Sequence, residues 1–419
     1  MKLKAPCKIL LANPPWHDET RSWLWGVRAG SRQPHMEFWR PDVYAPPYLP
    51  FPHFLAQATA LLEAIPELRV LLVDSVVQGE RLPAFLGRVA SFAPQVLFIE
   101  TSTPSLAWDL DMALKVRTFL PDVLIGFGGA HAPLRDAAWL GEHPQVDFAC
   151  FGEYELSLEA LMRELLAEAR GPVVGVHYRG VNGRIIPGPV RPPCQDLDAW
   201  PRYAYHHLPM QRYTDNPFGL PAPSAQIWSS RGCPLESGFC VWSQVMYGQP
   251  LLRLRSLAKV VDEVEWLVRT YDFQSFYFDD DITNVEQERT MGLAREIASR
   301  RLGVPWAMRA RADLMDRAML ETLHAAGMRA VKYGLESASQ DSLELEKVKN
   351  ACRITRELGI RLHLTFMFDF PGEASAKVQA AAALALELDP DTTRFSLCTP
   401  FPGTLLHVQA GQDGWLVDG

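Results

Sequence analysis

The sequence predicts an α/β protein of two consecutive units. We expect a Rossmann-like domain at residues 1–195, a linker at 196–223 and a partial (β/α)6 barrel of the TIM type at 224–419. Short apolar runs alternate with helical patterns along both halves, which is typical of parallel βαβ units. The runs are almost wholly apolar, as in strands covered by helices on both faces. Glycine and polar residues follow the runs directly, where parallel sheets bind ligands.

The first half predicts five strands with helices between them. Strands are expected at residues 8–12, 68–73, 96–100, 123–127 and 148–151. Helices are expected at residues 54–64, 82–92, 106–119 and 156–169. A hairpin near residues 176–186 leads into a proline-rich polar stretch, which we interpret as an interdomain connection.

The second half predicts six strand–helix units, two short of a complete barrel. Strands are expected at residues 225–229, 275–278, 306–309, 330–335, 361–368 and 394–398. Helices are expected at residues 257–271, 286–300, 317–326, 340–358 and 374–388, the third of them stopped by Gly327.

The composition excludes several classes of protein. Of the 419 residues, 48% are hydrophobic and 21% are charged, which is typical of globular chains. The net charge of −8 argues against a nucleic-acid partner, because such proteins present a basic face. No apolar run is long enough for a transmembrane segment, and the apolar start is interpreted as a buried strand. Seven sparse cysteines do not suggest a disulfide framework, so we expect a cytoplasmic protein.

The most distinctive motif follows the first strand of the second half, at residues 229–240. It contains Cys233 and Cys240 on a predicted loop. Two cysteines seven residues apart can also arise by chance, and the spacing alone leaves that alternative open.

This loop resembles the C-x3-C-x-Φ-C motif of radical S-adenosylmethionine (SAM) enzymes, in which Φ is aromatic. Cys233, Phe239 and Cys240 match the motif, while Ser237 stands at the middle cysteine. The flanking residues 231–234 and 241–248 are similar to those of the cobalamin-dependent members. The resemblance implies that the loop holds a [4Fe–4S] cluster with an open iron for SAM, and that Phe239 packs near the adenine.

The same resemblance assigns further SAM contacts to strand ends. Asp279 and Asp280 end the second strand of the barrel, Arg309 ends the third, and Glu336 and Ser337 follow the fourth. Without the resemblance, a solvated strand end or helix cap is the favoured interpretation of the acidic pair, whereas Arg309 is equally a surface arginine.

In the first half, the resemblance extends to the cobalamin domain fused to such barrels. It assigns cobalamin contacts to six residues at strand ends, namely Thr101, Ser102, Gly128, Gly129, His131 and Glu153. Glycine there allows a close approach of backbone to ligand. A strand-to-helix cap at Thr101 and Ser102, and a hydrogen-bonded turn histidine at position 131, are the structural alternatives.

Three interpretations of Ser237 stay open: a cluster completed by serine or another ligand, a degenerate site, and a substitution within an active lineage. The segment after Leu343 is also shorter than in the family. An active protein would generate a substrate radical with the cluster, SAM and cobalamin. It would then methylate an unactivated carbon, or rearrange or cyclise the substrate. Its partners would be a small-molecule or lipid-like substrate and a one-electron reductant such as flavodoxin or ferredoxin. The alternative is a catalytically degenerate cobalamin-binding protein, either a sensor or a partner subunit.

Overall fold

The computed structural model describes residues 3, 5–15, 49–168, 171–213, 219–335, 342–368, 370 and 375–416. Within these ranges the chain forms two main sheets flanked by helices, one parallel and one parallel except for a hairpin at its edge, which confirms the predicted α/β class. None of the helices in the described ranges combines the length and the apolarity needed to cross a bilayer.

The first sheet has the strand order β2-β1-β3-β4-β5-β6-β7. Its strands are β1 (Cys7–Asn13), β2 (Leu68–Asp74), β3 (Val96–Ser102), β4 (Leu124–Ala130), β5 (Phe148–Cys150), β6 (Val176–Arg179) and β7 (Ile185–Ile186). The first five strands are parallel, and β6 and β7 form the predicted antiparallel hairpin at one edge. The helices are α1 (His53–Glu63), α2 (Ser75–Gln78), α3 (Leu82–Phe92), α4 (Leu106–Phe119), α5 (Ala137–Glu142) and α6 (Glu155–Leu166).

The second half supplies the strands β8 (Ser224–Ile227), β9 (Ser230–Arg231), β10 (Arg253–Leu254), β11 (Ser275–Phe278), β12 (Trp306–Ala310), β13 (Met328–Leu335), β14 (Arg361–Phe368) and β15 (Thr392–Leu397). Six of them form a parallel sheet in the order β15-β14-β13-β12-β11-β8, the order expected of a partial barrel. The other two, β9 and β10, pair as a separate antiparallel ribbon that the sequence analysis did not predict. The helices are α7 (Leu257–Tyr271), α8 (Gln287–Arg300), α9 (Arg317–Ala325), α10 (Ser342–Glu357), α11 (Ser375–Leu388) and α12 (Leu405–Gln412).

Helix α7 illustrates how the spacing of apolar residues determines where a helix forms and which face it buries. Its buried face is formed by Val260, Val261, Val264 and Leu267, which recur at helical spacing and pack against the sheet. The helix ends at Asp272, which adopts a left-handed conformation with φ 54°. Both the bounds of α7 and those of β11 are the predicted ones.

The connection between the halves is packed rather than loose. The Tyr205 hydroxyl donates to Glu263 Oε1 at 2.7 Å, and the Tyr213 hydroxyl donates to Asp74 Oδ2 at 2.9 Å. Both tyrosines are buried, so this segment contributes to the core that joins the two sheets. The domain bounds at 195 and 224 stay predictions.

Candidate functional site

The predicted motif lies on a loop at the carboxyl end of β8, closed by the β9–β10 ribbon. We call residues 232–252 the cysteine loop. The Leu251 amide donates to the Cys233 carbonyl at 3.0 Å, which extends the ribbon to the first cysteine. Gly232 adopts φ +90°, and a Cβ there would lie 1.9 Å from the Leu251 carbonyl oxygen. Only glycine therefore allows this closure.

Two carboxylates after β11 hold the start of the cysteine loop. Asp280 is fully buried and accepts hydrogen bonds from the amides and hydroxyls of Ser229 and Ser230 at 2.7 to 2.9 Å. Asp281 accepts from the Gly232 amide at 2.9 Å and the Tyr247 hydroxyl at 3.1 Å. Both oxygens of Asp280 are engaged by these donors, and its contact with SAM stays a prediction. Its place is at the base of the loop.

Asp279 and Arg309 come together at the ends of adjacent strands. Arg309 Nη2 lies 3.2 Å from Asp279 Oδ1, and both side chains are largely buried. Both residues were predicted from separate strands as SAM contacts. Their pairing places one carboxylate and one guanidinium at the carboxyl edge of the sheet, next to the strand that leads into the cysteine loop.

The candidate iron ligands Cys233, Ser237 and Cys240 are all partly buried. The Ser237 carbonyl accepts from the Cys240 amide at 3.1 Å and from Gln244 Nε2 at 2.7 Å, so a tight turn joins the second and third positions. Burial raises the pKa of the Cys240 thiol, and a bound metal would have to displace its proton.

Phe239 packs its ring edge-on against Phe370, with the centroids 5.4 Å apart. Phe370 follows β14, so the aromatic residue of the motif faces another strand end of the barrel. Cys398 is buried, and its amide donates to the Phe368 carbonyl at 2.8 Å, in keeping with a core position. Glu336 and Ser337 lie outside the described residues.

After Cys240 the chain forms a π-helical turn, Trp242–Met246, which reaches the first domain. The Val245 carbonyl accepts from Arg135 Nη2 at 2.5 Å, and a Cβ at Gly152 would lie 3.3 Å from the Met246 carbonyl oxygen. Helix α12 covers the other side, since the Leu406 amide donates to the Gly238 carbonyl at 2.9 Å. The cysteine loop is thus held between α12 and the ends of β4 and β5.

The predicted cobalamin residues at the end of β3 are engaged within the protein. The Thr101 hydroxyl donates to Asp109 Oδ2 at 2.9 Å, and Ser102 forms a capping box with Ser105. These contacts agree with the helix-cap alternative, and cofactor contacts by the two hydroxyls stay a prediction. Both hydroxyls form hydrogen bonds at or next to the N-terminal end of α4.

The glycines of β4 are required by the fold itself. A Cβ at Gly128 would lie 2.6 Å from the Phe98 ring, and one at Gly129 would lie 2.3 Å from the Thr101 carbonyl oxygen. Gly129 also adopts φ +124°. Close packing of β3 against β4 therefore explains these glycines, and the backbone that follows them reaches the edge of the sheet at His131.

His131 lies at that edge with its Nδ1 3.1 Å from the Thr103 hydroxyl oxygen. Burial, and then the neighbouring His143, lower the pKa of His131 to about 4. The imidazole is therefore neutral near pH 7 and is available as a hydrogen-bonding or ligating group rather than as a cation.

Glu153 belongs to a buried ion-pair group between the two halves. Arg253 binds it with Nη1 at 2.6 Å and Nη2 at 2.9 Å, and Arg231 lies 3.2 Å away. Arg231 also donates to Glu155 at 2.7 Å. The Glu153 carboxylate forms this bidentate pair, and its contact with cobalamin stays a prediction.

The roles of Arg231, Arg253 and Glu155 do not follow from the sequence. Burial alone would lower the pKa of Arg231, but Glu155, Tyr203 and Glu153 outweigh it and the pKa lies well above its usual value. The sequence does contain opposite charges in two of its motifs, at residues 152–155 and 231–234, and these charges could have suggested an ion pair. Sequence spacing does not show which of them meet.

The side chains of the cysteine loop suit an iron–sulfur cluster at two of its three ligand positions. Two partly exposed thiols lie on a loop at the barrel edge, beside an Asp–Arg pair that matches the amino and carboxylate groups of SAM. The third position offers the Ser237 hydroxyl, a harder ligand. For cobalamin, the backbone of residues 129–131 and the neutral His131 fit, because they lie at a strand edge next to the π-helical turn of the cysteine loop.

No family model matches the chain. It is 27% identical over 349 residues to an uncharacterized methyltransferase of Pyrococcus horikoshii, covering 80% of this chain and 74% of the relative. It is 25% identical over 383 residues to the anaerobic magnesium-protoporphyrin IX monomethyl ester cyclase of Rubrivivax gelatinosus, covering 86% of this chain and 66% of the relative.

The fold is shared with solved radical SAM structures. The methyltransferase TsrM of Kitasatospora setae, solved with cobalamin and a [4Fe–4S] cluster, superposes with a TM-score of 0.72 at 17% identity, over 98% of this chain and 75% of that protein. The cobalamin-dependent radical enzyme OxsB superposes with a TM-score of 0.68 at 15% identity, over 98% of this chain and 55% of that protein. The chain is thus similar in sequence to these two proteins and shares the fold of the solved cobalamin-dependent radical SAM structures.

Proposed function

We propose that the chain is a radical SAM enzyme that uses a [4Fe–4S] cluster, SAM and cobalamin to methylate an unactivated carbon, or to cyclise or rearrange a substrate. The observation that carries the proposal is the placement of the cysteine loop. It lies at the carboxyl end of β8, and the π-helical turn within it contacts β4 in the first domain. When bound, the cluster and SAM supply radical chemistry, and cobalamin supplies a methyl carrier.

The residues of the barrel would have three roles: binding iron, binding SAM and positioning the cysteine loop. Cys233 and Cys240 would bind iron, with Ser237 at the third position. Asp279 and Arg309 would bind the charged groups of SAM, and Phe239 would pack near its adenine. Asp280 would keep the loop in place, since it holds Ser229 and Ser230. Glu336 and Ser337 would contact the ribose of SAM.

In the first domain, Gly128, Gly129 and His131 would line the cobalamin edge. A substrate held between the two halves would then meet both cofactors with water excluded. The names of the relatives, a methyltransferase and a porphyrin ester cyclase, support methylation and ring closure as the two reaction classes. We further propose a small-molecule or lipid-like substrate, a flavodoxin or ferredoxin as reductant, and a cytoplasmic location.

A second candidate function is a cobalamin-binding protein without a working cluster. Ser237 favours it, because the loop is closed by backbone and side-chain hydrogen bonds that need no metal. The Cys240 amide and Gln244 hold the Ser237 carbonyl, and Leu251 holds Cys233. The loop conformation therefore does not require a third thiolate.

Anaerobic reconstitution of the wild type, Ser237→Cys and Ser237→Ala separates the two functions. The proposed enzyme takes up about four irons per chain and releases 5′-deoxyadenosine from SAM. If the serine binds iron, Ser237→Ala loses iron and Ser237→Cys keeps or gains it. If all three bind hydroxocobalamin but neither the wild type nor Ser237→Cys gains iron or cleaves SAM, the enzyme proposal fails and the second candidate is supported.

A further inference from the structure

A cavity of about 220 Å³ lies at the seam of the two halves, beside the site described above. It is bounded by the end of β5 at Phe151 and Gly152, by residues 190–193, and by residues 246–249 after the π-helical turn. This volume is smaller than a pocket for a drug-sized ligand and fits a small polar group or part of a larger molecule.

Arg135 lines this cavity. Its Nη2 donates to the neutral Val245 carbonyl, its Nε is buried without a hydrogen-bond partner, and no described carboxylate forms an ion pair with it. A Cβ at Gly248 would lie 3.2 Å from Arg135 Nη2, so this glycine leaves room for the guanidinium. Within the described part of the chain, no carboxylate neutralises this cation at the cavity wall.

Arg191 is a second cation of the same kind. Its Nε donates to the Ser157 hydroxyl at 2.9 Å and its Nη2 to the Val174 carbonyl at 3.2 Å, both neutral acceptors. The carboxylate of Glu159 is nearby but accepts from Arg163 at 2.8 Å. Burial lowers the pKa of both Arg135 and Arg191, which is the effect of desolvation that no full counter-charge offsets.

Glu153 also lines the cavity, but its charge is already balanced. Arg253 binds both of its oxygens, and Arg231 bridges Glu153 and Glu155. These two arginines and two glutamates sum to zero. Arg135 and Arg191 therefore give the cavity a positive excess, and desolvated guanidinium groups bind oxyanions by paired hydrogen bonds.

We propose that this cavity binds an oxyanion, a phosphate or a carboxylate, carried by a ligand that lies across the domain seam. Arg135 and Arg191 supply the charge. Two sources have this chemistry: the phosphodiester of the cobalamin nucleotide tail and an acidic group of the substrate. Either source rests on the proposed function, whereas oxyanion binding itself needs no cluster.

Titration of the metal-free chain with inorganic phosphate, followed by calorimetry, tests the site. We expect saturable binding in the wild type and about tenfold or greater weakening in Arg135→Met and in Arg191→Met. Arg269→Met is the matched control, since Arg269 is an exposed surface arginine paired with Glu265, and it should bind as the wild type does. Absence of saturable binding in the wild type overturns the inference even if a variant fails to fold, and so does equal binding by folded variants.

Competition between phosphate and corrinoids identifies the molecule that carries the oxyanion. If phosphate weakens binding of hydroxocobalamin but not of cobinamide, which lacks the nucleotide phosphate, the oxyanion is that of the cofactor. If phosphate binds at the arginines and competes with neither corrinoid, the oxyanion belongs to the substrate. Both results support the site, and both can be obtained with a chain that holds no iron, so they are independent of the cluster.

Discussion

Arg231 Nη1 lies 2.7 Å from Glu155 Oε1, and this ion pair joins the residue two positions before Cys233 to the first residue of α6. Both side chains are almost fully buried. The guanidinium also lies over the ring of Trp200, 4.6 Å from its centroid. The conformation of the cysteine loop is thereby coupled to the position of the first domain.

Removing one partner of this pair should be costly. Arg231→Met leaves Glu155 buried without its counter-charge, which we expect to lower the free energy of unfolding by about 3 to 5 kcal/mol. Arg231→Met combined with Glu155→Gln should cost less than the sum of the two single changes. Urea unfolding measures both. The exposed pair of Arg269 with Glu265 is the control, at about 1 kcal/mol or less. Equal losses at the two sites would contradict the account.

Substitution by alanine should destabilise the cysteine loop at one of its glycines and leave it unchanged at another. Gly232→Ala places a Cβ 1.9 Å from the Leu251 carbonyl at φ +90°, so we expect an opened ribbon, a lower melting temperature and reduced iron uptake. Gly238→Ala meets only Leu405 Cβ, at 3.7 Å, an ordinary contact, and should behave as the wild type. Thermal unfolding and iron analysis check both variants. Loss of iron in Gly238→Ala alone would reverse the assignment.

Asp280→Asn should weaken the base of the cysteine loop. The amide nitrogen would face the donors of Ser229 and Ser230 in a fully buried position, and we expect a loss of about 2 kcal/mol or more. Asp262→Asn, at a side chain that is 55% exposed, is the matched control with a small effect. Chemical unfolding measures the difference. A direct SAM ligand at position 280 would instead show weaker SAM binding with unchanged stability.

Stability should depend on pH through His131. Its pKa is about 4 in the folded chain and about 6.5 when unfolded, so the unfolded state binds more protons between these values. The contribution is complete above pH 6.5 and is lost as the pH falls towards 4, up to about 3 kcal/mol. His131→Gln should be less pH-dependent than the wild type in urea titrations across this range. Parallel curves for the two proteins would show that residue 131 is not the titrating group.

The fold was predictable because its signals are local. Apolar periodicity set the bounds of α7 and β11, and strand–helix alternation set the parallel sheets. The β9–β10 ribbon and α12 escaped prediction. Each ribbon strand is two residues long, and α12 has two exposed apolar residues, Leu405 and Val408, so its apolar residues give no clear face.

The site was predictable only in part, because its side chains are assigned by contacts between distant segments. The cysteine positions follow from the motif, and Asp279 meets Arg309 as strand order implies. Asp280, Glu153 and Thr101 have the residue types of ligand contacts, yet they bind serine amides, an arginine and an aspartate of the chain. Which carboxylate meets a ligand depends on packing that spacing does not encode.

Iron content after anaerobic reconstitution of the wild type, Cys233→Ala and Cys240→Ala tests the central claim most directly. Cys352→Ala is the control, because Cys352 is a buried thiol on α10. The account predicts iron in the wild type and Cys352→Ala, and loss of most of it in the other two variants. Equal iron in all four proteins, or none in any of them, would contradict it.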